Sequence, residues 1–253
     1  MPQQPATVEF QSAFRAQDRG QLGRRVTMTM QEKLQLLGKI GHPHSVPAHA
    51  EIVGMGDRAD TAFLVLEGLL ARYDQNRIGD RQITALYIPG DTPGACSWMY
   101  PAATGGLEAL TDSVLLAVPQ DDLYGLLTGN PAAARALWCD LMAESMIMSR
   151  WLVNLGRSDA KTRVAHLLCE MACRYGLAPR QGRVVYQLPM TQQHLAETTG
   201  LTCVHINRTL KWLERWGISF RHKTVRIEDW DQLVTSAEFD PSYLAPLLAA
   251  GDA

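Results

Sequence analysis

The stretch Thr191–Gly217, TQQHLAETTGLTCVHINRTLKWLERWG, constrains what this chain can fold into more than any other. Thr191 is a natural N-cap, because its hydroxyl can accept a hydrogen bond from an unpaired amide of a first helical turn. Leu195 and Ala196 of the short helix that follows then face inward. Gly200 stands where the chain must turn sharply, and a residue without a Cβ enters the left-handed region at little cost. Thr202 can cap a second helix in which Ile206, Leu210 and Leu213 recur at +4 and +3 as one apolar face. Val204, His205, Asn207, Arg208, Lys211 and Arg215 lie off that stripe. The pattern predicts a helix-turn-helix whose second helix can enter a major groove. An ordinary helical hairpin is the alternative, and the downstream residues weigh against it. Ile218–Phe220, a polar turn Arg221-His222-Lys223, and Thr224–Ile227 predict a two-stranded wing with a basic tip.

Charge is partitioned to match. Residues 157–229 carry 12 Lys/Arg against 6 Asp/Glu, whereas residues 1–156 carry 12 against 16 and residues 230–253 carry four acids and no base. A basic module inside an otherwise acidic chain suits double-stranded DNA, since phosphate contacts supply most non-specific affinity. A merely solvated basic face would look the same on charge alone. No run of about 18 apolar residues exists and MPQQPATVEF lacks a basic-then-apolar signal pattern, so a cytoplasmic protein without membrane contact is expected. Five scattered cysteines argue against a disulfide framework.

Upstream, residues 1–25 are polar and Gln-rich and predict a flexible arm or a short helix. Gln31–Ile40 reads as a short amphipathic helix through Leu34, Leu37 and Ile40. From Val46 to Pro119 the pattern becomes short apolar runs, 63–66, 70–73, 83–88 and 113–118, each closed by turn residues. Closely spaced strands without intervening helices predict a small barrel or sandwich. A helix is expected over Asp121–Leu127, then a longer one from Pro131 to about Leu155. In it Ala134, Leu137, Leu141, Glu144, Met148, Trp151 and Leu155 alternate +3 and +4. Such a seam predicts a homodimer interface on Leu137, Leu141, Glu144, Met148, Trp151 and Leu155. The alternative is a long helix packed on its own barrel. Gly156-Arg157-Ser158 is the expected hinge, followed by a helix over Asp159–Tyr175 with Val164, Leu167, Leu168 and Met171 inward. Cys169 and Cys173, one turn apart there, read as small buried hydrophobes rather than a metal pair. Gly176–Pro189 reads as a loop or hairpin.

The fold class expected is therefore α+β: an arm over 1–25, a cupin-like β-barrel over 26–130, a dimerisation helix and hinge over 131–156, a winged helix-turn-helix over 157–230, and a tail over 231–253. Barrel, long helix, hinge helix, helix-turn-helix and wing in this order resemble the Crp–Fnr family of bacterial transcription regulators. The resemblance covers about 30–230 and is most specific in TQQHLAETTGLTCVHINRTLKWLE and WLVNLGRSDAKTRVAHLLCE. These stretches are similar to an alphaproteobacterial group with an H-[VI]-N-R-T-L recognition helix. The resemblance implies a homodimer on a palindromic site that engages RNA polymerase. It places the family's guanine-reading arginine on Arg208, whose fork can bond O6 and N7 together. Within the chain, a salt-bridge role is the alternative for that residue. Val204 and Cys203 fall where the catabolite-activator type has Glu and Arg, so a different half-site is implied. Thr191, Gln192, Gln193, Thr202 and the wing's His222 complete the expected DNA contacts, with His205, Asn207 and Lys211.

In the barrel, Gly94-Ala95 and Gly105-Gly106 stand where cyclic-nucleotide binders of the family have Gly-Glu and Arg-Ser. No Lys, Arg or His occurs from Gln82 to Ala134, which leaves a buried cyclic phosphate uncompensated unless backbone amides near Gly105-Gly106 serve it. No cysteine precedes Cys96, which speaks against an iron–sulfur cluster; His42, His44 and His49 are the candidate haem ligands of this half. No cofactor and no metal is expected, and the effector, if there is one, is an unknown small molecule. A cyclic-nucleotide-responsive module whose C-terminal domain contacts proteins is the alternative function. An enzyme on the barrel is not expected, because no histidine lies between residues 50 and 165.

Overall fold

A computed structural model describes residues 28–95, 97, 102–177 and 182–248. The expected arm over 1–25 and Cys96 lie outside these residues. Helix α1, Met30–Leu37, opens on a capping box in which Glu32 N donates to Thr29 Oγ1 and Thr29 N donates back to the Glu32 carboxylate. The barrel follows: β1 (His42–Val46), β2 (Glu51–Val53), β3 (Thr61–Glu67), β4 (Leu70–Gln75), β5 (Arg81–Tyr87), β6 (Gly106–Ala109) and β7 (Ser113–Pro119). One sheet has the order β1-β7-β3 and the other β2-β6-β4-β5, with antiparallel neighbours throughout. Phe63, Val65, Leu70, Ala85, Tyr87, Leu107 and Leu115 fill the space between the sheets. Gly106 is required there, since a Cβ would fall inside the Tyr73 ring.

Helix α2 (Gln120–Gly129) leads to α3 (Pro131–Arg157), which starts on Pro131 with the Asn130 side chain accepting from the amides of Ala132 and Ala133. The expected hinge covers 156–158, and the break in helix falls at Ser158 and Asp159. Helix α3 runs through Gly156 and Arg157, and the chain becomes extended only at Ser158 (φ −96°, ψ 150°). A helical glycine costs about 1 kcal/mol relative to alanine, which the rest of a 27-residue helix absorbs. Asp159 then caps α4 (Ala160–Arg174). The region read as a loop or hairpin supplies β8 (Val184–Gln187), so the wing is three-stranded, β8-β10-β9, rather than two-stranded. The remaining elements are α5 (Gln192–Thr199), α6 (Cys203–Leu213), β9 (Ile218–Arg221), β10 (Thr224–Ile227), α7 (Trp230–Ser236), a 3₁₀ turn over Pro241–Leu244 and α8 (Ala245–Leu248).

One hydrophobic cluster runs through both halves. Leu69, Ile83, Leu86 and Ile88 of the barrel meet Ile147 and Trp151 of α3, Val164, Leu168 and Met171 of α4, and Leu195, Ile206, Leu213 and Val225 of the winged helix. Cys169 and Cys173 lie in this cluster, and burial pushes both thiols up, Cys173 to about 12. They behave as small apolar residues. Among the described residues no helix is long and apolar enough to cross a membrane, and no group of His, Cys, Asp or Glu is arranged to hold a metal ion.

Candidate nucleic-acid interface

The helix-turn-helix is built by its caps and its glycine. Thr191 Oγ1 accepts from His194 N at 3.1 Å and its own amide donates to His194 Nδ1 at 3.3 Å, a capping box with imidazole in place of the usual carboxylate. Gly200 adopts φ +63°, and a Cβ there would lie 2.7 Å from Leu155 Cδ2. Thr202 Oγ1 accepts from His205 N at 3.2 Å and starts α6. Ile206 and Leu213 are fully enclosed and Leu210 nearly so, whereas Thr202, Cys203, Val204, His205, Asn207, Arg208 and Lys211 are exposed. Val204, Arg208, Lys211 and Arg215 recur at +4, +3 and +4, opposite the buried face.

Among the described residues, neither Arg208 nor Lys211 has an ion-pair partner, so both charges face solvent uncompensated. That leaves the salt-bridge alternative for Arg208 without a partner. Thr191, Gln192 and Gln193 are exposed at the start of α5, and the Gln193 carboxamide is engaged by Glu197 Oε1 at 2.7 Å and Cys203 Sγ at 2.9 Å. At the wing tip His222 (φ 51°) and Lys223 (φ 60°) are both left-handed. A two-residue turn of this kind suits a right-twisted hairpin, yet Asn-Gly would adopt it with less strain. Arg221 is held by Glu214 at 2.6 Å, fixing the base of the tip against the end of α6.

The back of this module rests on the barrel. Gln82 Nε2 donates to Thr198 O at 3.1 Å, and within the module Arg163 Nη1 of α4 donates to Thr199 O at 3.2 Å. Arg174 Nη2 donates to Leu86 O at 2.8 Å and to Asp91 at 2.7 Å. None of the exposed residues of α6 takes part in these contacts.

The six seam residues of α3 are not equivalent. Leu137 and Trp151 are 9% and 7% exposed, and Trp151 Nε1 donates to Glu170 within the same chain at 2.9 Å. Glu144 accepts from Tyr87 Oη at 2.7 Å and pairs with Arg72 at 2.8 Å. Leu141 and Leu155 are half-buried and Met148 is exposed. The apolar face that α3 leaves open is therefore advanced by one residue: Trp138, Met142 and Leu152 are 65%, 51% and 70% exposed.

Between the barrel and α3 lies a cavity of about 440 Å³, walled by Phe63, Ala95, Gly105, Leu107 and Leu141 among others. Its described lining contains one cation, Arg72, which sequence reasoning missed because it sought one only between Gln82 and Ala134. That guanidinium is already neutralised by Glu144, and burial raises the Tyr87 hydroxyl well above its usual range, keeping it a donor to the same carboxylate. His42 and His44 lie exposed on β1, and His49 in the turn after it; none of the three is in this lining.

Two family models match the chain: a Crp-like helix-turn-helix domain over residues 162–235 and a cyclic nucleotide-binding domain over 43–130. The nitrogen fixation regulation protein FixK of Azorhizobium caulinodans is 30% identical over 188 residues, covering 72% of this chain and 73% of that protein. The transcriptional activator protein FnrL of Cereibacter sphaeroides is 25% identical over 193 residues, 74% of this chain and 76% of that one. The structure of FixK2 from Bradyrhizobium japonicum superposes with a TM-score of 0.69 at 27% identity, covering 78% of this chain and 96% of that chain. The chain thus matches these relatives along most of its length and superposes on one of them, and it belongs to the Crp–Fnr family of transcription regulators.

Proposed function

We propose that the protein acts as a cytoplasmic homodimer that places two copies of α6 in successive major grooves of a palindromic site, engaging RNA polymerase there. Arg208 would read a guanine, and Lys211, Thr191, Gln192, Thr202, His205, Asn207 and His222 would hold phosphates or neighbouring base edges. The observation that carries this reading is the two-sidedness of α6: a fully enclosed apolar face backs exposed Arg208 and Lys211, whose charges have no partner among the described residues. The motif His205-Ile206-Asn207-Arg208-Thr209-Leu210 supports placement in the alphaproteobacterial H-[VI]-N-R-T-L group. No catalytic role is proposed.

The barrel would sense a small molecule other than a cyclic nucleotide. Its one described cation is committed to Glu144, and a cyclic phosphate would have to displace that carboxylate to gain a counter-charge. Selection of bound DNA from a random pool is the primary test and should return a symmetric motif with half-site centres roughly 34 Å apart. Arg208→Ala should weaken the selected site by about 1–3 kcal/mol, roughly 5- to 150-fold, and relax one base position. Equal affinity on an unchanged motif would overturn the assignment. Calorimetry with cyclic AMP and cyclic GMP separates the alternative reading, and no binding heat is expected from either.

A further inference from the structure

The segment from Asp229 to Leu248 extends past the match to the helix-turn-helix model, which ends at residue 235. It is nevertheless among the well-buried parts of the molecule: Trp230, Leu233, Ala237, Phe239, Tyr243 and Leu244 are each no more than 6% exposed. It carries Asp229, Asp231, Glu238 and Asp240 and no Lys or Arg, so it is unsuited to phosphate.

Its contacts span the hinge. Tyr243 Oη donates to Glu170 Oε2 on α4 at 2.8 Å, and the same carboxylate oxygen takes Trp151 Nε1 from α3 at 2.9 Å. The Tyr243 ring stacks on His166 of α4 at 5.8 Å, while the Arg150 guanidinium of α3 lies 5.5 Å from its centroid. Phe239 meets His166 edge-on at 5.0 Å. Leu247, in the last turn, lines the same cavity as Tyr87 and Asp91 of the barrel half and Arg174 of α4. Two extended residues, Ser158 and Asp159, are all that joins α3 to α4 along the backbone. Two helices so joined would pivot, and the C-terminal segment ties them together from the other side.

We infer that residues 229–248 form a latch across the hinge that fixes the winged helix against the long helix and so sets the spacing of the two recognition helices. The inference rests on the dimeric DNA-binding reading above. A latched dimer meets both half-sites without first ordering its domains, whereas an unlatched one loses that entropy on binding. The unlatched dimer also tolerates a wrong half-site spacing better, because its domains can swing to reach it. This second property separates a latch from a segment that merely adds stability.

The test uses the chain ending at Asp240 and, separately, Tyr243→Phe, which removes the hydroxyl and keeps the ring. Binding is measured to the selected palindrome, to the same palindrome with one base pair inserted at its centre, and to unrelated duplex at low salt. Amide exchange is followed at residues 155–160. With residues 241–253 removed, we expect palindrome affinity to fall at least tenfold, the penalty for the insertion to shrink, affinity for unrelated duplex to stay within twofold, and hinge exchange to rise at least tenfold. Tyr243→Phe should move each quantity the same way by a smaller factor, at least threefold in hinge exchange. If the shortened chain does not fold, Tyr243→Phe decides alone. Unchanged hinge exchange in the folded variants, or a lost affinity with an undiminished insertion penalty, would overturn the latch. A full-length protein that ignores all three duplexes would instead sink the DNA-binding reading, while hinge exchange would still decide the latch.

Discussion

Arg174→Met would test the ionic tie between barrel and α4 most severely. The Arg174 side chain is 4% exposed and bridges Asp91 at 2.7 Å, the Leu86 carbonyl at 2.8 Å and Glu170 at 3.8 Å. Glu170 is fully enclosed and its Oε1 has no hydrogen bond of its own, so the guanidinium is the main compensation for that oxygen's lost hydration. Methionine fills similar volume without the charge and strands two carboxylates, one of them beyond reach of water. Removing one member of a buried ion pair costs about 3–5 kcal/mol. At roughly 2–4 °C per kcal/mol for a chain of this size, the melting midpoint should drop by about 6–20 °C at pH 7.5, read by circular dichroism. The pH dependence carries a definite sign. Burial already holds the Glu170 carboxyl above its usual range, and Arg174 is the strongest influence pulling it back. In the variant the native pKa rises further, so above the unfolded value of about 4.3 the native state binds more protons than the unfolded one and stability falls as pH rises. The deficit relative to the parent should therefore be smallest near pH 5 and grow toward pH 8. Adding Glu170→Gln to Arg174→Met should recover at least half of it. A loss below about 1 kcal/mol, flat across this range, would refute the claim that an enclosed charge depends on Arg174.

Gly200→Ala should cost about 1–3 kcal/mol in urea titrations, because its φ is +63° and the new methyl would press on Leu155; parental stability would contradict the turn geometry. His166 is pushed down to about 4 by burial and then by Arg150, with Tyr243 as the other titratable group in contact. The unfolded chain takes up that proton first as pH falls below about 6.5, so up to about 3 kcal/mol is lost between pH 6.5 and 4. His166→Phe should flatten that part of the stability profile, and an unchanged slope would count against a buried neutral imidazole. Leu152→Glu, on the open face of α3, should give a monomer in sedimentation with little change in melting temperature, whereas Trp151→Ala should lower stability by about 3–5 kcal/mol. A dimer undisturbed by Leu152→Glu would move the interface elsewhere.

The helix-turn-helix was legible because its inside and outside differ chemically: Ile206, Leu210 and Leu213 against Asn207, Arg208 and Lys211. Strand β1 was not, since His-Pro-His-Ser-Val offers no alternation and four of its five residues are exposed on an edge that pairs only with β7. The register of the α3 face was ambiguous for a different reason. Trp138, Met142 and Leu152 repeat as regularly as Leu137, Leu141 and Trp151, and a period of seven accommodates either set. What separates them is tertiary: the barrel and Glu170 claim Leu137 and Trp151 first. Arg72 shows the same limit, because its place in the cavity follows from the pairing of β4 with β5 and β6 rather than from neighbours in sequence.

Because Ile83 of the barrel and Leu195 of the helix-turn-helix lie in one cluster, the boundary visible along the chain is not an energetic one. Cutting at Ser158 would expose apolar surface on both fragments, and heating the intact chain should melt barrel and winged helix together, as a single calorimetric peak. Grafting a foreign barrel onto this winged helix would have to rebuild that shared apolar contact before the two halves could fold as one body.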